Sequence, residues 1–104
     1  MNNIDELVVG DLTINRKYLT VHYQARQIEL TRREFDVLSY LAADPGRPVS
    51  KSELIDNVFP KISKTNTAEV YVKYIRNKLD RANPQAVIMT RRGFGYVVGV
   101  PSEA

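Results

Sequence analysis

The sequence predicts an α+β fold in which a small antiparallel sheet is followed by three helices and a terminal β-hairpin. Three observations carry this. The hydrophobic repeat changes from two residues to a helical spacing at Thr31. Two S/T-x-x-E signals, Thr31 with Glu34 and Ser50 with Glu53, mark helix starts. Two β-prone runs near the C-terminus flank a segment with Gly93 and Gly95. A chain of 104 residues is read as one domain over 1–104, because a second domain would leave neither with a core of useful size.

Between about 7 and 30, Leu12 and Ile14, then Leu19, Val21 and Tyr23, then Ile28 and Leu30 alternate with polar residues, as strands with one buried face do. Turn-like clusters at Asn15 to Lys17 and Gln24 to Arg26 interrupt them. A helix over about 32–43 follows, with Phe35, Leu38, Leu41 and Ala42 on one stripe, stopped by Asp44-Pro45-Gly46. A second, over about 51–58, shows Leu54, Ile55 and Val58 inward and stops at Phe59-Pro60. After a polar segment the helical pattern resumes over about 67–81 and closes at Asn83-Pro84. The hairpin is expected over about 87–100, with Val87 to Met89 and Tyr96 to Val100 as its strands.

Composition removes several classes of function. No cysteine is present, which excludes disulfides, thiolate metal sites and thiol nucleophiles, and no cofactor is expected. No basic leader precedes an apolar run, and no window approaches ~18 consecutive apolar residues, so a cytoplasmic protein without membrane contact is expected. The charge is uneven: residues 1–60 hold 7 Lys/Arg against 9 Asp/Glu, and residues 61–104 hold 8 against 3. A basic C-terminal half suggests a polyanionic partner, since phosphate neutralisation with counterion release drives nucleic-acid binding.

A helical wheel sharpens that suggestion. Ala68, Val72, Ile75 and Leu79 fall within about 60° of one another and form the buried stripe of the third helix. The opposite face carries Asn66, Val70, Lys73, Tyr74, Asn77 and Arg81, with Thr67, Tyr71 and Lys78 on one flank and Arg76 on the other. Asn pairs bidentately with adenine, Lys donates to guanine and an aliphatic group packs on a thymine methyl, so Asn66, Asn77, Lys73 and Val70 are candidates for base reading. Tyr71, Tyr74 and Arg76 are candidates for phosphate or sugar contacts. In the hairpin, Arg91 and Arg92 sit at or near the tip, where an arginine can enter a narrow minor groove. The arrangement expected is a winged helix-turn-helix that reads duplex DNA.

The same residues resemble the C-terminal effector domain of OmpR/PhoB-type two-component response regulators, from about Val8 to Val100. The resemblance lies in Leu30-Thr31-Arg32-Arg33-Glu34-Phe35 with Leu38, in Val49-Ser50-Lys51-Ser52-Glu53-Leu54, in Val70 to Leu79, and in Arg92-Gly93-Phe94-Gly95-Tyr96. It implies a third helix in the major groove and a wing near the minor groove. It places DNA contacts on Asn66, Thr67, Tyr71, Lys73, Tyr74 and Arg76 and, in the wing, on Thr90, Arg92, Gly93 and Tyr96. It also implies direct-repeat half-sites in double-stranded DNA and an N-terminal receiver domain, which has no room in this chain and makes it an excised effector domain. RNA polymerase is the partner implied for the loop Pro60 to Thr65, here a residue or two shorter than in the family. Phe59 stands where the family often has tryptophan. Arg91 stands where an apolar residue is commoner, so that it either adds positive charge to the wing or lies on the solvent side.

Two rivals fare worse. An enzyme would have to work with one histidine, His22, which reads as a strand surface residue, and Gly93-x-Gly95 lacks the third glycine and following helix of a dinucleotide loop. Glu34 and Asp36 lie two apart on a helix and point apart. A protein-binding winged helix would expose apolar anchors on the third helix, whereas this face is polar and basic.

Overall fold

A computed structural model describes residues 5–59, 61 and 66–99. The order of elements is β1 Glu6–Val9, β2 Leu12–Asn15, β3 Thr20–Tyr23, β4 Arg26–Ile28, α1 Arg32–Ala42, α2 Lys51–Val58, α3 Asn66–Leu79, β5 Ile88–Arg91 and β6 Gly95–Val98. The first four strands form an antiparallel meander, and β5 with β6 forms the terminal hairpin. In the meander the period-two pattern becomes a register: Leu12 lies opposite Tyr23, Ile14 opposite Val21, and Val21 opposite Ile28, all five buried. Thr13, His22 and Gln27 line up on the other face.

The run from Leu7 to Ile14 is two strands, β1 and β2, because Gly10 takes φ +59 at the first central position of a two-residue hairpin. At the next turn the Asn15 side chain accepts the N–H groups of Lys17 and Tyr18, both at 2.9 Å. Leu19, expected to face inward with Val21, instead lies in this turn at φ +57 and is exposed. The alternation starts only at Thr20, after the chain has reversed. The third turn puts Gln24 and Ala25 at φ +52 and +66, the two left-handed positions of a type I′ hairpin.

Helix α1 starts with both halves of its capping box: the Glu34 N–H donates to Thr31 Oγ1, and the Thr31 N–H donates to Glu34 Oε1. Helix α2 keeps only one half. The Glu53 N–H donates to Ser50 Oγ, but the Glu53 carboxylate turns away to accept from Arg47 and, at 2.6 Å, from the Tyr40 hydroxyl. Two arginines from elsewhere close helix C-termini, where orphan carbonyls and the helix dipole favour a cation. Arg33 donates to Val58 O at 2.8 Å at the end of α2, and Arg26 to Leu79 O at 3.2 Å at the end of α3. Helix α3 stops two residues before the expected 81, just ahead of a turn in which the Asp80 side chain accepts the Asn83 N–H, and Arg81 lies beyond it.

The three helices and the strand layers close over one core that includes Phe35, Leu38, Leu41, Leu54, Phe59, Val72, Ile75 and Ile88. The hairpin is fastened to the body through a backbone bridge, Val49 N–H to Tyr96 O at 2.7 Å and Tyr96 N–H to Val49 O at 2.9 Å. Gly95 makes this approach possible. At φ +129, a methyl there would overlap the Val49 carbonyl oxygen and stand 2.8 Å from Ser50 Cα, so only glycine fits. The loop Pro60 to Thr65 lies outside the described residues except for Lys61, and so does Val100.

Candidate nucleic-acid interface

Helix α3 divides its residues as the wheel requires. Ala68, Val72, Ile75 and Leu79 are buried, while Asn66, Glu69, Val70, Lys73, Tyr74, Asn77 and Lys78 are exposed. Thr67 and Tyr71 are half-buried. Tyr71 packs on Phe59 with ring centroids 5.0 Å apart and meets Tyr74 edge-on at 6.2 Å, so an aromatic run leads from the end of α2 to the exposed face. Lys78 pairs with the buried Glu34 at 2.7 Å and ties α3 to α1. Burial pushes the Glu34 carboxyl up, but the hydrogen bonds from Lys78 and Thr31 outweigh it and hold its pKa below the usual range.

Arg76 is the joint between helix and wing. It is half-buried, its Nε donates to Ile88 O at 2.9 Å and its Nη2 to Thr90 Oγ1 at 2.7 Å, and its guanidinium lies 5.6 Å from the centre of the Tyr96 ring. Burial lowers the pKa of the guanidinium, which stays charged at any working pH. Tyr96 is buried beneath it. Position 76, expected on an open flank, is thus enclosed by the strands that follow in sequence.

The wing turn is formed by the Phe94 N–H donating to Arg91 O at 2.8 Å, with Gly93 at φ +83 in the position where a type II turn needs glycine. Arg91, Arg92, Gly93 and Phe94 are exposed. Between this tip, the start of α2 and the exposed side of α3 lies an open groove of about 710 Å³, lined among others by Ser50, Lys51, Glu69, Arg76, Thr90 and Arg92. Arg91 lines it too, which places it with Arg92 and not behind the wing. Lys51 and Glu69 pair across its floor at 2.9 Å, and the bond to Glu69 raises the Lys51 pKa. Among the described residues, no ion pair takes up Lys73, Arg91 or Arg92.

Of the thirteen predicted positions, Arg76, Thr90, Arg91, Arg92, Gly93 and Tyr96 line this one groove, and the thirteen lie in two kinds of surroundings. Asn66, Val70, Lys73, Tyr74, Asn77, Thr90, Arg91, Arg92 and Gly93 are exposed; Thr67, Tyr71, Arg76 and Tyr96 are partly or fully enclosed. Sequence reading missed the groove residues Ser50, Lys51, Ser52 and Glu69, and in the wing Phe94 and Gly95. The capping signal at Ser50 located a helix start there, and nothing local says that the start faces the wing.

Comparison with known proteins follows this geometry. The family model described as "Transcriptional regulatory protein, C terminal" matches residues 25–98. The chain is 37% identical over 94 residues to YkoG of Bacillus subtilis, an uncharacterized transcriptional regulatory protein, a match covering 88% of this chain and 41% of YkoG. Its fold is similar to that of response regulator DrrB of Thermotoga maritima, an OmpR/PhoB homolog, with a TM-score of 0.82 and 26% identity over 91% of this chain and 44% of that one. It is also similar to the RstA DNA-binding domain of Klebsiella pneumoniae in complex with the RstA box, with a TM-score of 0.79 and 26% identity over 90% of this chain and 96% of that one. The chain spans about two fifths of the length of the curated relatives it matches.

Proposed function

This chain belongs to the family of transcriptional regulatory protein C-terminal domains, and on that premise we propose that it binds duplex DNA sequence-specifically as the effector domain of a two-component response regulator. Helix α3 lies in the major groove and the β5–β6 wing beside the adjacent minor groove. One observation carries this reading: the exposed face of α3 offers amides, a lysine, a tyrosine and an aliphatic group, and continues into two arginines without carboxylate partners among the described residues.

The roles follow from exposure. Asn66, Lys73, Asn77 and Val70 reach base edges, and Thr67 and Tyr74 reach the sugar-phosphate backbone. Thr90 accepts from Arg76 and keeps its own hydroxyl proton for a phosphate oxygen. Arg91 and Arg92 enter the minor groove, and Gly93 lets the backbone come close. Tyr71, Arg76 and Tyr96 hold these groups in place from beneath. Two copies, monomeric in solution, occupy direct-repeat half-sites about one helical turn apart. A receiver domain precedes this one in the full-length cytoplasmic protein, and contact with RNA polymerase through the loop Pro60 to Thr65 rests on the family resemblance alone.

The test is a titration of labelled duplex DNA at several salt concentrations. Binding should weaken with a log-log slope corresponding to roughly four to six phosphate contacts, and a selected site should bind more tightly than a random one. Affinity that does not change between low and moderate salt would overturn the reading.

A further inference from the structure

The tip of the wing exposes an apolar ring. Phe94 is 64% exposed at the hairpin tip, between Gly93 and Gly95, and it belongs to none of the ring or cation contacts among the described residues. Folding does not require it there: the turn depends on the Phe94 N–H and on the two glycines, not on its side chain. The hairpin that carries it is braced. Four antiparallel residue pairs, from Ile88 with Val98 to Arg91 with Gly95, stiffen the hairpin, and the Val49 bridge and Arg76 fix it to the body. Phe94 lines the same groove as the exposed Arg91 and Arg92, together with Lys51 and Thr90.

An exposed phenyl that shares a hairpin tip with two cations suits a surface that is anionic at its rim and apolar within. The minor groove of duplex DNA is such a surface, with phosphates outside and the faces of deoxyribose and base within reach of an apolar wedge. We propose that Phe94 is a specificity-determining residue of the wing: its ring packs into the minor groove that Arg91 and Arg92 approach from the same hairpin tip, and it favours sites with an easily unstacked pyrimidine–purine step at that position. Selectivity then comes from the deformability of that step and not from a hydrogen bond to it. The inference rests on the DNA-binding reading above.

Matched duplexes that differ only in the step under the wing, TA against AA, separate the two readings, with 2-aminopurine at that step reporting unstacking. The unaltered domain should prefer the TA duplex and raise the 2-aminopurine fluorescence. Phe94→Ala should lose on the order of tenfold on the TA duplex and much less on the AA duplex, with its salt slope unchanged because no charge is removed. Phe94→Leu, which keeps an apolar wedge, should retain most of the preference. Equal binding of both duplexes by the unaltered domain, or an equal loss on both by Phe94→Ala, overturns the proposal and leaves the DNA-binding reading standing. Absence of any salt-dependent binding by the unaltered domain overturns both.

Discussion

Charge counting identifies how many arginines a chain has, but not which of them are free. Arg26 and Arg33 are committed to helix C-termini, Arg47 to Asp44 and Glu53, and Arg76 to Ile88 and Thr90. Their carbonyl partners at Leu79, Val58 and Ile88 lie 53, 25 and 12 residues away in sequence, beyond any local pattern. The exposure of Lys73 and Asn77 was legible because amphipathic spacing alone decides which way they point; the enclosure of Arg76 was not, because the strands that enclose it arrive later in the chain. The two classes should separate by measurement. Arg76→Met should remove about 1–3 kcal/mol of stability, a fall in Tm of roughly 4–8 °C per kcal/mol, and weaken cognate DNA without changing the salt slope. Lys73→Ala should leave Tm nearly unchanged and cost about 1–3 kcal/mol on the best site, relaxing the preference at one or two base pairs. Thermal denaturation beside DNA titration distinguishes them, and an Arg76→Met domain that melts normally and loses about one unit of slope would make Arg76 a phosphate contact instead.

At the level of elements, helices α1 and α2 were legible to within a residue because side chains close in sequence set their starts. Thr31 and Ser50 each accept from the N–H three residues on. The meander was less legible. The breaks at Asn15 to Lys17 and Gln24 to Arg26 were legible, but their conformation was not: Leu19 sits at φ +57, and the β3–β4 hairpin turns on Gln24 and Ala25 instead of the Asn-Gly pair that its type I′ geometry favours. Holding two non-glycine residues in the left-handed region costs roughly 1–2 kcal/mol each. The double change Gln24→Asn with Ala25→Gly should therefore stabilise the domain by about 1 kcal/mol or more, after allowance for the greater chain entropy of glycine. Urea denaturation would show it as a higher midpoint at constant m. An unchanged or lower midpoint would mean that this turn is held by its surroundings and not by its own conformational preference.

Across the whole molecule, two carboxylates join the helices. Glu34 links α1 to α3 through Lys78, and Glu53 links α2 to Tyr40 of α1 and to Arg47. Bonds from Arg47 and then Tyr40 hold the Glu53 carboxyl down at about 2, and Glu34 is also lowered. An unfolded glutamate titrates near ~4.3, so on acidification the unfolded chain takes up these protons first. The stabilisation is complete above ~4.3 and is lost as pH falls towards about 2. Tm should hardly depend on pH from roughly 7 to 5 through these groups and drop steeply below, and Glu53→Gln should flatten part of that drop. Parallel curves for the two proteins would show that Glu53 is not responsible. The joint at Arg76 has a different kind of consequence, for inheritance. Because one guanidinium spans α3 and the Thr90 hydroxyl, helix and wing do not behave as interchangeable cassettes. A helix grafted with any shorter side chain at position 76 would leave Ile88 O and the Thr90 hydroxyl without the guanidinium that joins them to α3, so that a chimaera exchanging the helix alone must keep Arg76 to keep the wing fastened.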